Sequence, residues 1–80
     1  MATVSVQYFA VFREQRGLGS EEISTSCTTA GDLFEELRAA HGFTIAPALV
    51  KVAIDGAFAS METPLHDGAV LVFIPPVAGG

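Results

Sequence analysis

The sequence is short of several things, and each shortage removes a class of function. It has one cysteine, Cys27, so no disulfide forms within the chain, and the expected compartment is reducing, the cytoplasm. It has four basic residues against nine acidic ones, a net charge of −5. Nucleic-acid affinity rests on Lys and Arg, so a phosphate backbone is not the expected partner. Such acidity is compatible with docking on a basic protein surface. No apolar run reaches the length that spans a membrane. No basic segment followed by an apolar one opens the chain, so no signal peptide is expected. There is no internal repeat, linker or low-complexity tract. Eighty residues make one domain, near the lower limit for a self-sufficient core, and half of them are apolar.

What is present is concentrated at the end. Val70 to Ile74 is β-branched and aromatic, which suits a strand. Pro75 and Pro76 carry no N–H, so they end the ladder and favour an extended path. Val77, Ala78, Gly79 and Gly80 then project about 12–14 Å, at ~3.3–3.6 Å per residue. The division expected is a folded domain over 1–76 and an extended, flexible tail over 77–80. Two glycines let backbone pass through a channel too narrow for a Cβ. A terminal α-carboxylate on Gly80 is ionised at neutral pH. It is a poor electrophile until a better leaving group, such as an acyl-phosphate ester, is attached. A frayed end is the bland reading of such residues; the direct junction with a strand and a double proline argues against it.

Earlier in the chain, Val4, Val6 and Tyr8 alternate with Ser5, Gln7 and Phe9, predicting a strand with the first set inward. Phe9 is then an aromatic on the otherwise polar face. A short helical turn is predicted over 11–16, and a second, more polar strand over 21–27 with Ile23 and Thr25 inward. Thr29 to Asp32 resembles a capping box, and Ala30, Leu33, Phe34 and Leu37 share one helical face. A helix over 30–41 follows, closed by Gly42. Residues 43–48 read as a loop broken by Pro47. Val50, Val52 and Ile54 alternate inward, Asp55-Gly56 signals a two-residue hairpin, and residues 57–60 return. Asp67-Gly68 turns the chain into the last strand. This is an α+β pattern: one mixed sheet with one main helix on one face.

Candidate side-chain chemistry is sparse. Cys27 has nothing basic near it in sequence to activate it, and free cysteines are usually buried. His41 and His66 have no partners at ligand spacing, so no metal site is expected. Glu35 and Glu36 belong to a solvated helix face, and Asp67 shapes its turn. No Ser-His-Asp set or Gly-rich phosphate loop is present. The informative group is apolar: Phe9, Phe58, Val72 and Ile74. If Leu71 and Phe73 face the helix, Val72 and Ile74 face outward with Phe9. A single helix covers one sheet face, so these side chains would form an exposed patch on the other, which often marks a partner site.

The segments Tyr8-Phe9-Ala10-Val11-Phe12-Arg13-Glu14, Pro64-Leu65-His66-Asp67-Gly68 and Phe73-Ile74-Pro75-Pro76-Val77-Ala78-Gly79-Gly80 resemble the small subunit of molybdopterin synthase, the sulfur carrier of molybdenum-cofactor biosynthesis. The resemblance covers the whole chain. That family often has a second aromatic where Ile74 stands, and threonine or another small residue at Ala78. It implies a β-grasp, ubiquitin-like fold with the first and last strands parallel in the centre. It implies that the Gly80 carboxylate is adenylated with ATP by an ubiquitin-activating-like adenylyltransferase. A sulfur donor enzyme would convert it to a thiocarboxylate, which would give sulfur to cyclic pyranopterin monophosphate inside the large synthase subunit. The chain would be a co-substrate, with no permanently bound cofactor and catalytic side chains on its partners. Phe9, Phe58, Val72, Ile74, Pro75 and Pro76 would dock on the large subunit, and Arg13 would help hold the activating enzyme. Other readings are a sulfur carrier for thiamine thiazole, a ubiquitin-like modifier, and a binding module with an inert tail. The Phe73-Ile74-Pro75-Pro76 approach favours molybdopterin.

Overall fold

Parallel pairing needs a crossover, and here the first and last strands provide the parallel pair. In the computed structural model, which describes residues 1–76, β1 (Ala2–Tyr8) lies alongside β5 (Val70–Ile74), with Tyr8 opposite Phe73. β2 (Ser20–Thr25) pairs antiparallel with β1; β3 (Lys51–Ile54) pairs antiparallel with both β5 and β4 (Ala57–Ala59). The sheet order is β2-β1-β5-β3-β4. Two helices, α1 (Ala10–Arg16) and α2 (Ala30–His41), and a 3₁₀ turn at Pro47–Leu49 complete the described residues. The fold is the mixed-sheet, ubiquitin-like β-grasp expected from the sequence.

α2 is built from local signals. Thr29 is extended and its hydroxyl accepts the Asp32 N–H at 3.1 Å, filling one of the orphan donors of the first turn. Ala30, Leu33, Phe34 and Leu37 are buried along one stripe. Gly42 takes φ +70°, the left-handed position where a Cβ is strained, and returns its N–H to the Arg38 carbonyl at 2.9 Å. The β3–β4 turn is equally local. Asp55 (φ +52°) and Gly56 (φ +87°) are both left-handed, as a two-residue type I′ turn requires.

Two expectations need correction. Residues 11–16 are more than a turn: α1 runs Ala10–Arg16, and its Phe12 is fully buried. Phe12 meets Phe34 at 5.6 Å and Phe43 at 5.0 Å between ring centroids, so a second helix joins α2 in covering the core. β2 stops at Thr25, not Cys27. Its partner β1 begins at Ala2, directly opposite Thr25, and the Thr25 hydroxyl takes the Cys27 N–H at 3.0 Å. Phe43 lies in a loop, as expected, and is 4% exposed there, packed against Tyr8, Phe12 and Phe34.

The core lies between the sheet and the helices. Val4, Val6 and Tyr8 from β1, Leu71 and Phe73 from β5, and Val52 from β3 face Leu33, Phe34 and Leu37 of α2. Each such side chain contributes about 1.5–3 kcal/mol on full burial. The turn before β5 is tied to the start of β1. Asp67 Oδ1 accepts the Thr3 N–H at 2.8 Å, and the Gly68 N–H donates to the Thr3 carbonyl at 2.7 Å. That clamp fixes the parallel register, and hence which β5 side chains face outward.

Candidate partner face and tail root

β5 is apolar along its whole length, and its two faces have separate jobs. Leu71 and Phe73 are fully buried. Val70, Val72 and Ile74 alternate with them and point to the other side of the sheet. Cross-strand partners share a face, so the register extends the set. Val72 lies opposite Ala53 of β3, and Ala53 lies opposite Phe58 of β4. Phe58 is 77% exposed. Ile74 lies opposite Lys51. The result is an apolar band of Val70, Val72, Ile74, Ala53 and Phe58 across β5, β3 and β4. On β1 and β2 the same face is polar: Thr3, Ser5 and Gln7 pair with Ser24, Glu22 and Ser20.

Phe9 follows Tyr8 in extended backbone, one residue beyond the last β1–β5 pair, and is 50% exposed. It therefore continues the register to the level of Ile74. Pro75 and Pro76 follow Ile74 directly and leave the ladder. Val77, Ala78, Gly79 and Gly80, on which the reactive-tail expectation rests, lie outside the described residues. Arg13 is exposed on α1, and its guanidinium lies against Gly19, just before β2. It sits on the β2 side of the sheet, away from the β5–β3–β4 band.

The remaining reactive groups have structural partners. Cys27 is half-buried and its Sγ donates to Glu36 Oε2 at 3.0 Å. Burial, with the neighbouring Glu36 carboxylate, pushes the thiol pKa up, so the nucleophilic thiolate is disfavoured. Glu21 was read only as part of a polar strand. It stands opposite Val6 on the inward face and accepts from the Tyr8 hydroxyl at 2.7 Å and from Arg16 at 2.7 and 2.9 Å. The bidentate Arg16 holds the Glu21 carboxyl below its usual range, while burial and that carboxylate push the Tyr8 phenol well above its own. This is a seal on the core edge. Inward phase from the β1 pairing was the only sequence signal for it. His66 contacts Asp55 Oδ2 through Nε2 at 2.7 Å and the Asp67 carbonyl through Nδ1 at 3.0 Å. Among the described residues no three His, Cys, Asp or Glu side chains form a metal-sized cluster, and no helix is long and apolar enough to cross a membrane.

Comparison with known proteins bears on this arrangement. A sequence model of the ThiS family matches residues 6–80. No curated protein sequence matches the chain. Among solved structures, the chain is similar to "Putative molybdopterin converting factor, subunit 1" from Pyrococcus furiosus, at 32% identity and TM-score 0.78, over 96% of this chain and 100% of that one. It is similar to subunit 1 in the complex of subunits 1 and 2 of molybdopterin-converting factor from Helicobacter pylori, at 25% identity and TM-score 0.66, over 98% and 99% of the two chains. SAMP1 from Haloferax volcanii, at 24% identity and TM-score 0.78 over 99% and 100%, shares the fold.

Proposed function

From the chain's membership of the ThiS family, whose match runs through Gly79 and Gly80, we propose that it is the sulfur-carrier subunit of a molybdopterin synthase. The observation that carries this reading is the 32% identity to the Pyrococcus protein, over nearly the full length of both chains. The exposed apolar band beside the tail root supports it, because a chain that delivers its own end needs a docking face next to that end.

In this cycle the Gly80 carboxylate attacks the α-phosphorus of ATP on a ubiquitin-activating-like enzyme, releasing pyrophosphate. A sulfur donor displaces AMP from the acyl-adenylate and leaves a thiocarboxylate. The tail then enters the large synthase subunit, where the thiocarboxylate sulfur bonds to cyclic pyranopterin monophosphate and water cleaves the acyl–sulfur bond, restoring the Gly80 carboxylate. The chain's own residues supply three things: the reacting carbonyl, a bulk-free thread at Gly79 and Gly80, and a docking face. Pro75 and Pro76 hold the root of the thread straight. The intact mass of protein from its native cell, purified through an internal tag that leaves Gly80 free, tests this. A sulfur-for-oxygen gain on the C-terminal peptide is expected. A ladder of protein conjugates without that gain would identify a modifier instead. Deleting Gly80 should abolish sulfur transfer while leaving the melting temperature nearly unchanged; transfer by the deletion variant would refute the role of Gly80.

A further inference from the structure

The apolar band has one charged corner. Lys51 is the chain's only lysine, and it is exposed on β3 directly opposite Ile74, the last residue before Pro75. Its neighbour Val52 is 1% exposed and faces the helices, so Lys51 belongs to the opposite face, with Val72, Ile74, Ala53 and Phe58.

Among the described residues, nothing close by on that face balances it. Arg16 is bound to Glu21 at 2.7 Å, and Arg38 approaches Glu35 at 3.8 Å, but Lys51 enters no ion pair among the described residues. Two other charged side chains stand at positions of this face. Asp55, opposite Val70, lies four residues along from Lys51, about 13 Å at ~3.3 Å each. Its carboxylate is taken by His66 at 2.7 Å and by the Val70 N–H at 2.9 Å. The other is Glu22 of β2. Glu22 is three strand spacings away, about 14 Å at ~4.8 Å each, and four residues further along, about 13 Å at ~3.3 Å each. The separation of roughly 19 Å exceeds the screening length of about 8–10 Å at physiological salt. Among the described residues Lys51 is thus an unanswered positive charge at the rim of an apolar patch, beside Ile74 and Pro75. A surface that covers the patch strips water from this ammonium, which is strongly unfavourable unless the cover supplies the opposite charge.

We infer that the protein docking on this band presents a carboxylate to Lys51, beside the mouth of the channel that receives the tail. This rests on the proposed function, in that the docking partner is the protein that accepts the tail. It adds a chemical requirement on that partner: an acidic group at the tail mouth, on a surface that elsewhere tolerates a chain of net charge −5. A second copy of this chain fits poorly, because two such acidic chains repel one another.

A single lysine makes the test direct. A zero-length carbodiimide joins an amine to a carboxylate that touches it, forming an amide as the activated oxygen leaves in the urea. The complex purified from the native cell through an internal tag is treated with carbodiimide and mapped by mass spectrometry. A cross-link from Lys51 to an Asp or Glu of the partner is expected. Lys51→Arg should abolish that cross-link yet keep the affinity, and Lys51→Glu should weaken binding by about tenfold or more, as for truncated rim-to-core charge pairs. Unchanged affinity for Lys51→Glu, a Lys51 cross-link only to another copy of this chain, or a tag that brings down no second protein would each overturn the inference. The C-terminal mass is read on the same samples. A Gly80 thiocarboxylate with an indifferent Lys51 leaves the sulfur-carrier reading standing; a Lys51 cross-link without sulfur on Gly80 leaves the interface and removes that reading.

Discussion

Phe34→Ala and Phe9→Ala should fail in opposite ways. Phe34 is fully buried, with ring centroids 5.1 Å from Phe73, 5.6 Å from Phe12 and 6.0 Å from Phe43. Truncating a core phenylalanine costs about 3–5 kcal/mol, part transfer and part cavity. Three ring neighbours, each pair worth about 0.5–1.5 kcal/mol beyond area, put Phe34 toward the upper end. A domain of this size is stable by only about 4–12 kcal/mol at ~0.05–0.15 kcal/mol per residue. At ~4–8 °C per kcal/mol, the melting temperature should fall by roughly 15–40 °C. Phe9 is half exposed and lies outside the core. Its truncation should cost about 1 kcal/mol or less in stability, within the range of surface changes. As a large apolar anchor it should instead cost about tenfold or more in affinity for the proposed partner subunit, at ~1.4 kcal/mol per factor of ten. Ile74→Ala should behave like Phe9→Ala. Thermal melts and calorimetric titrations on the same proteins decide the matter. A collapsed melting temperature for Phe9→Ala with unchanged affinity would show that the two faces of the sheet are assigned backwards.

Two further outcomes follow from the polar groups. Cys27→Ala should retain most sulfur transfer, because its thiol is bound to Glu36 and its pKa is pushed up by burial and that carboxylate; loss of transfer in a folded variant that is still adenylated would place the sulfur relay on Cys27. The His66 imidazole, followed by NMR, should titrate above its ordinary 6.5, chiefly because Asp55 accepts from Nε2 and then because the Asp67 carbonyl accepts from Nδ1. A raised folded pKa means that the stabilisation is whole below 6.5 and fades as pH rises through the folded value. Asp55 is depressed, first by the Val70 N–H and then by His66, so its share is present above 3.8 and fades as pH falls through its folded value. Asp55→Asn should bring His66 back toward 6.5; a wild-type value at or below 6.5 would refute the contact.

How much of this was legible depended on how far each signal reached along the chain. α2 and the Asp55-Gly56 turn were readable because every part of each device is local: Thr29, the Ala30 to Leu37 stripe and Gly42 lie within one segment. Phe43 was not readable. It follows the Gly42 stop, where helical periodicity has ended, and is buried only because Tyr8, Phe12 and Phe34 converge on it from three other elements. Glu21 was missed for a similar reason. Its burial depends on Arg16 returning from α1 to neutralise it, a pairing that strand alternation does not encode.

The partner face lies between these cases. Val70 to Ile74 is apolar at every position, so alternation alone does not say which set faces the helices. The pairing of Tyr8 with Phe73 settles it, together with the Asp67 and Gly68 contacts to Thr3 that lock β5 beside β1. The helices need only one apolar face of β5, and Leu71 and Phe73 supply it. Val72 and Ile74 are then apolar beyond what the core requires. For a strand covered on one side, that excess is the physical signal of a second, intermolecular cover, and it was present in the sequence before the register showed which residues carried it.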